Sequence, residues 1–283
     1  MIVKIMLGIL GLVAAPFVGG LLAGVDRKIT ARMQSRFGPP IMQPFYDVFK
    51  LLGKTPSAVN AWLALCAFLT LMSSALAVFL FFFQSDLLLI FFVMTIGAVF
   101  QVMGALSVNS PFSQVGAQRE LLQMLAYEPL IIIVFVGIAL KTGGFGIEAI
   151  YALDKPLLFS SPALFLAMGV ALTIKLRKSP FDISASHHGH QEIVRGVLTE
   201  YTGPQLAMLE IAHWFDVVLI LGFCSLFWST GWIGMLALLA ATYFAEMLVD
   251  NISSRLTWQW MLTRVLVPTI LLCVVNILWI YAL

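Results

Sequence analysis

The sequence predicts an all-α, polytopic membrane protein of about eight transmembrane helices, with one further amphipathic helix at the membrane surface. Three observations predict it. Of 283 residues, 61% are apolar and only 11% are charged, with a mean hydropathy of +0.99, a composition suited to side chains that face lipid. Apolar runs of about 20 residues recur, the length that crosses roughly 30 Å of hydrocarbon at about 1.5 Å per residue. The basic residues fall between these runs and gather on one side of them. A single integral membrane domain over residues 1–283 follows, with no linker, low-complexity tract or internal repeat.

Taken in order, the runs place spans at roughly 2–25, 60–83, 87–107, 119–140, 161–177, 204–228, 231–249 and 261–282. The first is read as a retained helix, because no small-residue cleavage site and soluble domain follow it. Pro129 interrupts the fourth, and the fifth is short before Lys175, Arg177 and Lys178, so each is expected to be kinked or to line a cavity. Between the first two spans, Pro44 starts a helix with Phe45, Val48, Phe49 and Leu52 on one face and Asp47, Lys50 and Lys54 on the other. That pattern suits a helix lying in the interface.

Orientation follows from the 16 Lys and Arg residues. Only Lys4, Lys141 and Lys155 lie on one side; the rest lie in or beside the odd-numbered loops, at about 26–59, 108–118, 178–203 and 250–260. These loops are expected to face the cytoplasm, and both termini the outside. With a net charge of only +2, the basic residues report orientation and not a nucleic-acid partner. Cys66, Cys224 and Cys273 stand singly in apolar runs with no spacing suited to a metal, a cluster or a haem. Any redox cofactor is therefore expected in a partner.

Charged side chains inside such spans are costly, about 2.5–3.5 kcal/mol each on insertion scales, so each calls for a reason. Glu128 lies in the fourth span beside Tyr127 and Pro129. Glu210, His213 and Asp216 follow one another at three-residue steps in the sixth, about 4.5 Å apart in rise and turned by about 60°, an oblique line along the helix. Glu246 and Asp250, four apart in the seventh, share a face. Such a set suits proton transfer, and equally suits structural pairing with Arg or backbone groups. Three of the four histidines, His187, His188 and His190, stand with Asp182, Glu192 and Glu200 in the third basic loop. There they fit a docking surface or a proton entry better than a metal site, because adjacent histidines on a helix point apart and the spacing is no zinc pattern.

Three segments carry a resemblance: DRKITARMQSRFGPPIMQPFYDVFKLLGK (26–54), RELLQMLAYEPL (119–130) and SPFDISASHHGHQEIVRGVLTEYTG (179–203). Together they resemble the three cytoplasmic signatures of the complex I subunit that seals the quinone chamber, over nearly the whole chain. Where that subunit usually has further carboxylates after Pro-Phe-Asp, this chain has Ser184, Ser186 and the run His187, His188, Gly189, His190. That variant resembles the membrane subunit of energy-converting NiFe hydrogenases and of formate hydrogenlyase.

The resemblance implies a subunit with no cofactor of its own, whose partners carry the NiFe centre and the iron-sulfur clusters. Those partners would be the large and small hydrogenase subunits, an iron-sulfur subunit and an antiporter-like membrane subunit, with ferredoxin as indirect electron donor. By the same resemblance Arg27, Arg32, Arg36, Asp182, Glu192, Arg195 and Glu200 would form the dock and the redox-sensing loop, and Glu128, Glu210 and Asp216 an acidic path. The competing expectations are a complex I subunit enclosing quinone, a secondary transporter and a passive anchor.

Overall fold

A computed structural model describes residues 1–55, 60–181 and 195–282; Asp182, His187, His188, His190 and Glu192 lie outside the described residues. In chain order the helices are α1 (Ile2–Met33), α2 (Gln43–Leu52), α3 (Ala61–Phe82), α4 (Leu87–Leu106), α5 (Pro111–Thr142), α6 (Ile147–Tyr151), α7 (Leu157–Ser160), α8 (Pro162–Lys175), α9 (Pro204–Ser225), α10 (Trp232–Ile252), α11 (Trp258–Trp260) and α12 (Val267–Ala282). Short 3-10 turns cover Gly196–Leu198 and Leu226–Trp228, and a π-helical stretch, Met261–Leu266, joins α11 to α12. The all-α class is as expected.

Among the described residues, seven helical stretches are long and apolar enough to cross a membrane: α1, α3, α4, α5, α9 with its 3-10 extension, α10, and the run from Trp258 to Tyr281. The expected fifth span is shorter than the reading of 161–177. It is α8, with 14 residues, about 21 Å at 1.5 Å per residue, preceded by the single-turn helices α6 and α7 in place of a longer helix.

Other boundaries also differ from the sequence reading. α1 runs on to Met33, because no proline or glycine follows Gly24 before Ser35 and Gly38, both at positive φ, and the Pro39-Pro40 pair. Most of the loop expected at 108–118 is helical: α5 begins at Pro111 and carries Pro129 in its interior. A proline in the first turn of a helix lacks only an N–H that would go unused there, a start signal that the polar run SQVGAQR obscures. α10 likewise continues to Ile252, and α11 takes up the end of the expected 250–260 loop.

The chain forms two compact units. The first comprises Met1–Phe83, Phe91–Leu121 and Ile183–Val218; the second comprises Gln84–Ile90, Leu122–Asp182 and Leu219–Leu283. In the first, α1 packs on α2 and α3. Val48 of α2 is buried against Ala207 and Trp214 of α9, with Phe45, Leu51 and Ile211 around them. The inward face of α2 is therefore Phe45, Val48 and Leu51, whereas Phe49 and Leu52 are exposed at 68% and 47%. This splits the apolar face read from the sequence in two, one part meeting protein and the other left for lipid.

Glycines set how closely α1 approaches. A Cβ at Gly19 would stand 2.6 Å from the Trp214 carbonyl oxygen and 2.7 Å from its Cβ. Gly19→Leu is expected to push α1 off Trp214 at about 1–3 kcal/mol or more, seen as a lower melting temperature in detergent. Gly53→Ala, whose added carbon meets nothing closer than 3.7 Å, is the matched control and should be near neutral.

In the second unit α8 packs on α7, α10 and α12. Phe135 meets Phe223 edge-on at 5.0 Å, and Phe165 meets Phe227 at 5.2 Å. The start of α4 is tied to the segment before α6 by the Leu87 N–H donating to the Phe145 carbonyl at 2.9 Å.

Candidate functional site

The candidate acids divide between the two units. In the first, Glu210, His213 and Asp216 are half-buried along α9, at the spacing the sequence predicts. Ser74 of α3 donates its hydroxyl to Asp216 Oδ1 at 2.9 Å. The next residue but one, Trp214, is locked by Gly19 of α1 and by the Phe45 ring at 5.2 Å, so the helix face that carries Asp216 is fixed by packing.

The visible end of the third motif belongs to the same unit. Tyr201 is almost fully buried and donates its hydroxyl to the Gln101 carbonyl at 3.2 Å. A Cβ at Gly104 would fall on that hydroxyl and on Cys66, and one at Gly116 of α5 would run into the Gly196–Val197 backbone. Small residues on α4 and α5 thus hold the loop end down, leaving Arg195 and Glu200 half-buried beside it.

Burial pushes the Tyr201 phenol well above its usual range. A phenol whose folded value is raised stabilises the fold fully below its unfolded pKa of about 10 and loses that contribution as pH climbs past it. Melting temperature followed from pH 8 upward should therefore fall beyond about pH 10. Tyr201→Phe should flatten that fall while costing about 0.5–1.5 kcal/mol at neutral pH for the lost hydrogen bond.

Of the residues expected to dock partners, Arg27, Arg32 and Arg36 are at the surface. Arg27 pairs with Asp47 of α2 at 3.0 Å, both about two-fifths exposed, and Gln43 also donates to Asp47 at 2.9 Å. Arg32 lies over the Phe37 ring at 5.3 Å, and Arg36 bonds the Gln34 side chain. Arg27 and Arg32 stand on the last turns of α1, and Arg36 in the turn that ends it.

In the second unit Glu128, Glu246 and Asp250 each meet α8 or the residues that follow it. Glu128 of α5 has Lys175 of α8 close enough to act on it electrostatically, and its Oε1 is buried with no hydrogen-bond partner among the described residues. The Lys175 ammonium also sits 5.3 Å from the centre of the Tyr127 ring. Glu246 is 7% exposed; its Oε2 accepts the Thr173 hydroxyl at 2.6 Å, and Lys178 and Asp250 act on it electrostatically. Asp250 Oδ1 accepts the Ser179 backbone N–H at 2.8 Å.

Sequence reasoning missed several members of these sites. Lys178, read only as an orientation signal, is 7% exposed and lies over the Tyr243 ring at 5.0 Å. Glu120 of α5 is 4% exposed, yet was passed over beside Arg119. Each stands at the edge of an apolar run, Glu120 at the start of 119–140 and Lys178 just past 161–177. Ser74 and Thr173 had no signal of their own.

Comparison with known proteins gives the family of the chain. The chain is 32% identical over 208 residues to hydrogenase-4 component C of Escherichia coli (strain K12), covering 67% of this chain and 64% of that protein. It is 28% identical over 239 residues to the H subunit of the NADH-quinone oxidoreductase of Rubrobacter xylanophilus, covering 76% and 71%. The alignment thus spans less than two thirds of the length of the hydrogenase-4 component. Among solved structures, a chain of the membrane-bound sulfane sulfur reductase, an archaeal respiratory membrane complex, superposes with a TM-score of 0.85 at 25% identity, over 98% of this chain and 99% of that one. The NADH dehydrogenase family matches residues 5–281. With seven apolar helices, surface arginines at the end of α1 and acids held inside both units, the chain is a multi-pass membrane protein that belongs to the NADH dehydrogenase family.

Proposed function

We propose that this chain is the membrane subunit of an energy-converting NiFe hydrogenase complex in the cytoplasmic membrane of a prokaryote. It docks the large and small hydrogenase subunits and the iron-sulfur subunit, and it couples ferredoxin-driven proton reduction, or its reverse, to ion movement with an antiporter-like neighbour. The observation that carries the coupling role is that carboxyl groups in apolar helices are held by hydroxyls, Asp216 by Ser74 and Glu246 by Thr173. A hydroxyl partner, unlike a bidentate Arg, stabilises a carboxylate without fixing it permanently in the charged form.

The hydrogenase assignment is supported by the likeness to hydrogenase-4 component C and by the run His187, His188, Gly189, His190, which carries the resemblance to the hydrogenase variant of the third motif. The 13-to-3 distribution of basic residues among the 16 supports an orientation with Arg27, Arg32, Arg36 and the 178–203 segment in the cytoplasm and both termini outside. A second reading is favoured by the near-complete superposition on the sulfane sulfur reductase chain: the same dock and acids serving soluble subunits that reduce a sulfur species.

Purification through an affinity tag in mild detergent, with identification of the copurifying chains and metals, decides between them. The proposal expects the two hydrogenase subunits and nickel. Copurifying quinone with no nickel would return the chain to the quinone-reducing branch, and a complex with iron but no nickel would favour the sulfur-reducing one.

A further inference from the structure

Thr173 differs from Thr70, Thr95, Thr142, Thr242 and Thr269 in what it can donate to. Its hydroxyl lies 2.9 Å from the carbonyl of Gly169, one turn back on α8, and 2.6 Å from Glu246 Oε2 on α10. The bond to the carbonyl one turn back is the ordinary way a helical threonine hides its hydroxyl; Thr95, Thr242 and Thr269 do the same. Thr70 also has two acceptors, but both are backbone carbonyls, of Cys66 and Gly97, and a carbonyl never becomes a donor.

A hydroxyl has one proton to give and two lone pairs to receive with. With Glu246 ionised, the proton of Thr173 belongs on Oε2, and 2.6 Å is the length of a charge-assisted O–H···O⁻ bond. With Glu246 protonated, the carboxyl becomes the donor, Thr173 receives, and its own proton turns back to Gly169. Thr173 neither gains nor loses a proton in this exchange. Both bonds are made in place, by rotation about one side-chain torsion.

We propose that Thr173 is a positioning residue that holds Glu246 in both of its protonation states, by alternating its single hydroxyl proton between the carboxylate and the Gly169 carbonyl. The proposal rests on the coupling role given above to Glu246. The groups that face this carboxyl are Lys178 and Asp250, both acting on it electrostatically, and the Cys224 thiol of α9, on which Glu246 acts in turn. Gly169 leaves the carboxyl room, since even an added Cβ there would be 3.9 Å from Oε1. Lys178 and Cys224 do not both donate and accept through an oxygen, and the Asp250 carboxyl already accepts the Ser179 N–H at 2.8 Å, so the Thr173 hydroxyl is what lets Glu246 stay bonded when its charge changes.

The test is infrared difference spectroscopy of the full chain reconstituted in phosphatidylcholine vesicles, stepped between acid and alkaline pH. A protonated-carboxyl band removed by Glu246→Gln is assigned to Glu246. That band should move to higher wavenumber in Thr173→Val, which keeps the shape and removes the hydrogen bond, and stay in place in Thr173→Ser, which keeps the hydroxyl. Thr173→Ala serves should the valine variant fail to insert.

A band that Thr173→Val leaves unmoved, one that Thr173→Ser moves as far, or no band lost in Glu246→Gln would each overturn the proposal. The coupling role is read separately, from the gradient built per turnover by the complex. A moved band with an unchanged ratio in Thr173→Val would uphold the hydroxyl exchange while taking Glu246 out of ion movement.

Discussion

Charge reversal at Arg36 is expected to release the soluble subunits from the membrane while this chain remains in it. Arg36 is exposed just past the end of α1, its guanidinium bonded to the Gln34 side chain, so its replacement by Glu disturbs no buried contact among the described residues. In the assembled complex the same side chain would face a partner carboxylate or carbonyl. Removing one side of a buried charged contact costs about 2–5 kcal/mol, and reversal adds repulsion to that. The measurement is the fraction of hydrogenase activity sedimenting with membranes, with the membrane chain quantified in parallel. Asp182→Lys should behave alike through the third motif. Full retention of activity on the membranes in both variants would remove the docking role from these segments.

A loss of comparable size is expected at the acids, with the opposite signature. Asp216→Asn keeps the shape of the side chain and its bond to Ser74, and Glu246→Gln keeps an acceptor for Thr173, but neither can exchange a proton. Assembly should survive, since a neutral amide is cheaper inside an apolar helix than a carboxylate. Proton reduction with an artificial donor in detergent should then run near the wild-type rate, while ion movement across a sealed membrane falls to a small remainder. A structural ion pair would behave otherwise: neutralising one partner leaves the other unpaired, and the complex would lose stability before it lost coupling.

Much of this was legible in the sequence, for a physical reason. Lipid makes most residues of a span apolar and every backbone group self-satisfied, so helix positions can be read from hydropathy, and α3, α4, α9 and α10 lie close to where the runs place them. The ends were harder. A helix that leaves the apolar layer no longer has to be apolar, so α1 continues through Arg27 and Arg32, and α5 begins at Pro111 in a polar run. The fifth span was legible as short, and α8 is shorter still at both ends, running from Pro162 to Lys175.

Which residues are acids was plain, but what holds them was not. Ser74 lies 142 residues from Asp216, and Thr173 lies 73 from Glu246. A single hydroxyl in an apolar helix most often does no more than bond its own backbone. Only the fold, which brings Ser74 to Asp216 and Thr173 to Glu246, singles these two out.

In the proposed function, protons on the carboxyl groups inside the helices of this chain come and go as the complex moves ions. The most direct test is the gradient built per hydrogen evolved, in sealed vesicles energised with a low-potential donor, for the wild-type complex and for Glu128→Gln, Glu210→Gln, Asp216→Asn and Glu246→Gln. The account predicts hydrogen evolution close to wild type with a ratio lowered at least about tenfold, an added barrier of roughly 1.4 kcal/mol or more in the coupled step, in at least one variant from each unit. Wild-type ratios in all four would contradict it and leave the chain a passive anchor.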